Sequence, residues 1–359
     1  MKRASLHNGT PAAILLPLLF LACNHPAQFL PPIPESDPRN FTWTIDTIAF
    51  PGSPATLMRS IWGSSVHDVY VAGYNGHPGG TMFHYDGTSW HTVSLTASEG
   101  GTIPGTIDLS QVLGFSGADI FAVGGTIPAG SPPGTPAASL VIHYDGKTWS
   151  QMQVPPGGML RGIWGQYDGE MWAVGDSGTQ IQFISLTWIP AVPAHTGSFN
   201  AVGGVSTGNV YALSSRPVAP PHDTTFRYLW NWNGGVWSIA DSFPQVPGHT
   251  DRFGTRSLWS LLAITYTTGQ GLFKLDGSSW DLLVPGPGSG YLNAVYGIVN
   301  SSLFAVGDGS AVFQISPADW YRYPQFADPA INYYGVWTDG REVFVVGNDG
   351  RETYLLHGK

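Results

Sequence analysis

The feature that most restricts this chain is that it repeats itself. The stretch "GIWGQYDGEMWAVGDSGTQI", residues 162–181, packs aromatic residues, glycines and acids densely enough for a binding site, yet its pattern recurs along the chain. Seven copies open on a short apolar segment: Ile61-Trp62-Gly63, Val112-Leu113-Gly114, Ile163-Trp164-Gly165, Val202-Gly203-Gly204, Leu258-Trp259-Ser260, Val295-Tyr296-Gly297 and Val336-Trp337-Thr338, about 37 to 56 residues apart. After a polar turn comes an alternating second segment, such as "DVYVAG" (68–73), "DIFAVG" (119–124) or "EVFVVG" (342–347); the fifth copy, "AITYTTG" (263–269), is degenerate. A third segment follows, as in "TMFHYDG", and then a fourth that opens on Trp90, Trp149, Trp188, Trp237, Trp280 or Trp320. Period-two alternation between turn residues marks strands. Four strands in a unit repeated at this spacing predict an all-β fold, a seven-bladed β-propeller of four-stranded blades over residues 40–359.

The last copy lacks its fourth segment after "TYLLHGK". A match stands at the other end of the chain, in "NFTWTIDTIAF" (40–50), with Trp43 as its aromatic residue. The N-terminal strand is therefore expected to complete the last blade and close the ring, which removes two open sheet edges. Composition agrees, since only 11% of residues are charged while Gly (47) and Pro (29) are plentiful, as turns between short strands require.

Between third and fourth strands the chain reads Asp-Gly-x-Ser/Thr-Trp at Asp86, Asp145 and Asp276. Asp-Gly suits tight hairpins whose central residues need positive φ. These acids are read as turn formers, because a reaction centre is not normally repeated around a scaffold. The Trp residues are read as filling the space between blades.

These repeats resemble the Trp- and Gly-rich propeller repeats of bacterial secreted proteins, including the Asp-box-like and photosystem assembly factor-like groups. The resemblance covers nearly everything from Asn40 onward and implies fold more than function. The Asp-boxes lack the leading Ser-x-Asp arrangement of the glycosidase branch.

The N-terminal segment is of another kind. Lys2 and Arg3 precede an apolar run, "PAAILLPLLFLA" (11–22), which is too short to span a bilayer. With "FLAC" it resembles a bacterial lipoprotein signal peptide (1–22), which implies lipidation at Cys23, the single cysteine. Residues 23–39, with five prolines, then read as a tether. The expected location is the cell envelope, held to the membrane by the lipid anchor only; an ordinary secretory signal would instead release the chain.

Chemistry is sparse. A formal charge of −9 and only four Lys exclude nucleic acid as a partner. His67, His84, His143, His222 and His249 are scattered, so neither a metal site nor a cofactor is expected. His84 and His143 precede Tyr-Asp-Gly at equivalent positions and read as packing or turn residues. No Gly-x-Ser-x-Gly or phosphate-cradling loop occurs.

Antiparallel order sorts the connections. First-to-second and third-to-fourth turns share one end of the ring; second-to-third turns and the links between blades share the other. All long insertions (96–110, 125–139, 214–226 and 241–256) fall on this second end, where binding residues gather. On the same end, two positions before each inner strand's first apolar residue, stand Arg59, Ser110, Arg161, Asn200, Arg256, Asn293 and Tyr334. They should ring the channel mouth. Arg59, Arg161 and Arg256 could together hold a carboxylate, sulfate or phosphate, or could each pair with a neighbouring acid.

The preferred reading is a non-catalytic, lipid-anchored propeller that binds a protein or glycan through its loop-rich face. The alternatives are a sialidase-like enzyme acting on glycans, with its acids drawn from Glu99, Asp108, Asp223 and Asp251, an assembly factor for a membrane complex, or a surface protein with no specific ligand.

Overall fold

The structure, a computed structural model, describes residues 37–359 except 76, 78, 167–168, 192–196, 218–223, 247, 289 and 299–301. The leader, Cys23 and the tether up to residue 36 lie outside the described residues. Within them the strands form seven four-stranded antiparallel sheets. Each is one blade, and the chain is the seven-bladed propeller its repeats predict.

Inner strands are Thr56–Ser65, Thr106–Ser116, Leu160–Gly165, Ser198–Ser206, Ser257–Leu261, Leu292–Tyr296 and Asn332–Thr338. Second strands such as Met171–Gly175, Leu303–Gly307 and Val343–Asn348 are buried along their whole length. Neighbouring blades cover both of their faces, so the segments read as alternating are in fact buried on both sides. Hydrophobic clusters accordingly bridge adjacent blades: Phe121, Val123 and Val141 of blade two meet Leu160, Ile163 and Met171 of blade three.

The Trp of four opening motifs works between blades, against a glycine of the next motif. A Cβ on Gly114 of blade two would lie 2.4 Å from the Trp62 ring of blade one. The same relation joins Trp164 to Gly204 and Trp337 to Gly63, while Trp259 donates its indole N–H to the Gly297 carbonyl at 3.0 Å. An aromatic wedge on blades one, three, five and seven thus sits on the following blade's inner strand, made slender there by glycine.

The ring closes as expected. Trp43–Ile48 pairs antiparallel with Thr353–Gly358, from Trp43 opposite Gly358 to Ile48 opposite Thr353. Thr42 and Lys359 extend the ladder with bonds of 2.8 and 3.0 Å in opposite directions. The Trp43 ring meets Tyr323 and Phe326 edge-on, each at 5.0 Å. Residues Pro38–Asn40, at the end of the segment read as tether, form a 3-10 turn seated on blade six, where Tyr323 donates to the Pro38 carbonyl at 2.7 Å and Arg39 pairs with Asp319.

Turn chemistry follows the motif. Asp86 accepts from the Thr88 and Ser89 amides, Asp145 from those of Lys147 and Thr148, and Asn233 does the same in blade four for Gly235 and Val236. Asp276 departs from this: the bond across its turn runs from the Ser279 hydroxyl to its carbonyl.

The long insertions differ from expectation, because much of their sequence prolongs strands. Thr106 pairs with Ile127 and Thr126 with Ala138 in blade two, and Pro217, Thr225 and Gln245 align across blade four. Satisfying these backbone groups in ladders rather than loops raises two walls on the second end.

Candidate functional site

Six of the seven inner strands break register in their first half, and those of blades one, two and four break it again near their ends. The first-half shifts lie between Met58 and Ser60, Leu109 and Gln111, Leu160 and Gly162, Phe199 and Ala201, Leu292 and Ala294, and Tyr333 and Gly335. The bulged residues are Arg59, Ser110, Arg161, Asn200, Asn293 and Tyr334. A β-bulge re-aims its side chain and leaves it out of the ladder. The neighbouring strand makes room: a Cβ on Gly124 would stand 1.9 Å from the Asp108 carbonyl, which explains the glycine closing "DIFAVG". Blade five has no shift, and Arg256 donates its amide directly to Thr268 at 2.8 Å.

All seven predicted residues line one axial cavity of about 210 Å³. Five of them, all but Asn293 and Tyr334, also line a wider cavity of about 500 Å³, whose wall includes Asp176, Arg227, Gln245 and Tyr291. Arginine on blades one, three and five alternates with the shorter Ser110, Asn200 and Asn293, so each guanidinium has space beside it.

The arginines do not act as one trio. Arg59 pairs with Asp108 of the next blade at 2.9 Å. Arg161 grips Asp176 of its own blade with both sides of its fork, at 3.1 and 2.7 Å. Arg256 instead lies 4.5 Å over the Tyr291 ring. Arg227, on the blade-four wall, donates to Gln245 at 3.1 and 2.5 Å. Among the described residues, neither Arg256 nor Arg227 forms a salt bridge. Asn293 is held by Asp308 at 2.8 Å and the Tyr333 carbonyl at 3.0 Å, and Asn200 by the Thr255 carbonyl at 3.2 Å. The buried Ser110 hydroxyl has no hydrogen-bond partner among the described residues.

Electrostatics mark the rim as a place of reduced solvation. Burial pushes the Asp108 carboxyl above the usual range despite the opposing charges of Arg59 and Arg161. Burial and Asp308 raise the Tyr334 phenol. Burial also raises Asp251, against the pull of Arg227; its Oδ2 has no partner among the described residues. The wall of the wider cavity itself presents the guanidinium groups of Arg59, Arg161, Arg227 and Arg256 and one carboxylate, Asp176.

Arg227, Gln245, Asp176 and Asp308 did not emerge from the sequence reading. A signal for the two acids was there: "AVGD" ends the second strand in blades three and six, and in both the Asp holds the ring residue of its own blade. Arg227 was hidden because 214–226 read as a loop rather than a rising hairpin.

The other candidates have structural tasks. Glu99 accepts from the Gly80 amide at 2.6 Å and from the Thr96 amide at 3.3 Å within a capping box. Asp108 is committed to Arg59, and Asp251 is 4% exposed. Asp223 and His222 lie outside the described residues. His84 bonds Asp68 at 2.7 Å and stacks on Tyr70, and His143 bonds Asp119 at 2.8 Å and stacks on Phe121; the His357 ring repeats this with Glu342 and Phe344. Among the described residues, no group of three or more His, Cys, Asp or Glu side chains is placed to hold a metal ion.

No protein-family model and no curated protein sequence matches the chain. Solved structures do. YCF48 bound to a D1 peptide superposes with a TM-score of 0.62 at 16% identity, covering 90% of this chain and 98% of that one. YCF48 from Cyanidioschyzon merolae gives 0.57 at 16%, covering 87% and 98%. The extracellular domain of a putative hybrid two-component system from B. thetaiotaomicron gives 0.60 at 11%, covering 88% of this chain and 42% of that one. At such identities the likeness establishes the propeller fold.

Proposed function

We propose that this protein is a non-catalytic binding propeller of the cell envelope, anchored through a lipidated Cys23, that takes up an extended peptide segment of a protein partner at its walled end. The observation that carries the reading is that the four arginines around the wider cavity are divided: Arg59 and Arg161 are paired with Asp108 and Asp176, while Arg227 and Arg256 form no salt bridge among the described residues. A peptide offers carbonyl acceptors for the two guanidinium groups outside salt bridges and amide donors for Gln245 and Asn200 of the same wall, whereas Arg59 and Arg161 already have their carboxylates. A propeller of the same fold holding the D1 peptide supports the choice of a peptide over a glycan. The Lys2-Arg3 and apolar leader before Cys23 support the anchor.

Arg227 and Arg256 are the residues to test, because they are not spent in salt bridges among the described residues. A peptide-display library and a glycan array are probed with the wild type and the Arg227→Gln/Arg256→Gln variant. Peptides captured by the wild type and lost by the variant, with an unchanged melting curve, are the expected result. Capture of glycans alone, or peptide capture indifferent to both substitutions, refutes the reading.

A further inference from the structure

Two hairpin tips carry leucine where the backbone favours glycine or asparagine. In blade three, Gln180–Ile184 and Thr187–Pro190 are joined by Ser185 and Leu186, with φ of 51° and 66°. Both central residues are left-handed, in the turn that Asn-Gly serves best. In blade five, Ser257–Leu261 and Ile264–Thr268 are joined by Leu262 and Ala263, and Leu262 has φ 57°. Leu186 is 85% exposed and Leu262 70%, and Val236, at the matching tip of blade four, is 61% exposed. Each leucine tip is unfavourable in two ways, through a left-handed backbone bearing a bulky side chain and through apolar surface left in water. Strain concentrated at an apolar tip points to a contact that compensates for it.

The three tips belong to consecutive blades and to one end of the ring, because first-to-second and third-to-fourth turns emerge together. The chain also enters the ring at this end. Trp43–Ile48 is a fourth strand and therefore begins there, and Arg39 just before it is paired with Asp319 in the third-to-fourth turn of blade six. Only residues 24–37 separate Cys23 from Pro38, a reach of at most about 50 Å when extended. With Cys23 bound to a membrane, the chain would therefore enter the ring at the end that carries the leucine tips.

Charge narrows the surface further. The blade-four turns 206–209 and 233–236 contain no charged residue, Lys274 of blade five is paired with Asp276 at 3.6 Å, and the chain carries a formal −9. Attraction to anionic lipid therefore has no source here, whereas apolar insertion into a neutral interface does.

We propose that the short-turn end of blades three to five rests on a zwitterionic lipid surface, with Leu186, Val236 and Leu262 inserted at the headgroup level. This rests on the anchoring reading for Cys23, which sets the facing end. The test uses residues 24–359, which contain every strand of the closed ring but neither leader nor acyl group, in flotation with phosphatidylcholine–phosphatidylethanolamine vesicles. The expected result is partitioning that is insensitive to salt and falls about tenfold or more in Leu186→Asn/Leu262→Asn, while the melting midpoint stays equal or rises because Asn tolerates the left-handed backbone. Absence of flotation, equal flotation of the variant, or binding only to anionic vesicles and lost with salt overturns it. So does a concentration-dependent dimer abolished by the same variant, which assigns the tips to a second copy. Mass analysis of Cys23 in the full-length protein separates the two ideas: an acylated Cys23 without flotation of 24–359 sinks the insertion alone, and flotation with an unmodified Cys23 sinks the anchor alone.

Discussion

Replacing Gly114 by Ala adds a single methyl group, yet it tests how the blades are joined. The added Cβ would stand 2.4, 2.5 and 2.6 Å from three carbons of the Trp62 ring. Ordinary contact begins near 3.4 Å, so ring and strand must part by about 1 Å. The ring is flat, rigid and packed against the cores on both sides of blade one, so no flexible end can swing clear. Overpacking of this kind costs about 1–3 kcal/mol. With an unfolding entropy of about 2.1 cal/mol/K per residue over roughly 320 residues, the melting midpoint falls by roughly 2–5 °C. Gly208→Ala is the control: nothing lies within 4 Å of its Cβ and its φ is not left-handed, so it is neutral or slightly stabilising. Calorimetry on Gly114→Ala, Trp62→Leu and the double variant closes a cycle in which the pair should couple by about 1 kcal/mol or more, the smaller Leu leaving room for the methyl. If Gly114→Ala melts like Gly208→Ala, or if the two costs simply add, the wedge-on-glycine account of blade packing is wrong.

Three further outcomes are expected. Deleting residues 41–50 removes the strand paired with Thr353–Gly358 and the Trp43 contacts to Tyr323 and Phe326; one cooperative transition at much lower temperature should replace the native one, and a truncated chain that melts like the intact protein would refute closure. Hydrogen bonds hold the Asp86 and Asp145 carboxyls below the usual range, from the Thr88 hydroxyl and the Ser89 and Thr88 amides in the first and from the Thr148 and Lys147 amides in the second. Groups depressed on folding stabilise above their unfolded pKa of about 4 and cease to as pH falls through the folded value. Burial opposes ionisation of Asp68, but bonds from His84 and Ser64 still leave it lowered, so it acts in the same sense. Melting midpoints should therefore drop below about pH 4, more shallowly in Asp86→Asn/Asp145→Asn, because Asn233 already shows that the neutral amide builds this turn. Finally, Gly124→Ala drives a methyl into the Asp108 carbonyl, so the bulge carrying Ser110 must move; peptide capture should weaken together with stability, and loss of stability with full capture would detach the bulges from binding.

The likeness to other propellers at 16% identity or less shows how little of this fold depends on particular residues. Blade number, strand roles and turn acids were legible in the linear pattern because each rests on local periodicity or on pairing with the next segment in the chain, and the closing strand because the last repeat lacks a segment whose match stands at residues 40–50. The ring of seven polar positions was legible too, as a column in the repeat. Its bulges were less so, although two residues between buried Met58 and Ile61 where alternation allows one was their trace.

What the tertiary structure alone decided is which groups meet. Arg59 finds Asp108 on the following blade while Arg161 finds Asp176 on its own, and Arg227 reaches the same cavity from a wall that the sequence presents as a loop. A one-residue register shift turns a side chain from one face to the other, and blade-to-blade packing sets where that face looks. Neither is encoded by neighbours in sequence, so a repeat that announces its architecture leaves its chemistry to contacts 15 to 49 residues apart.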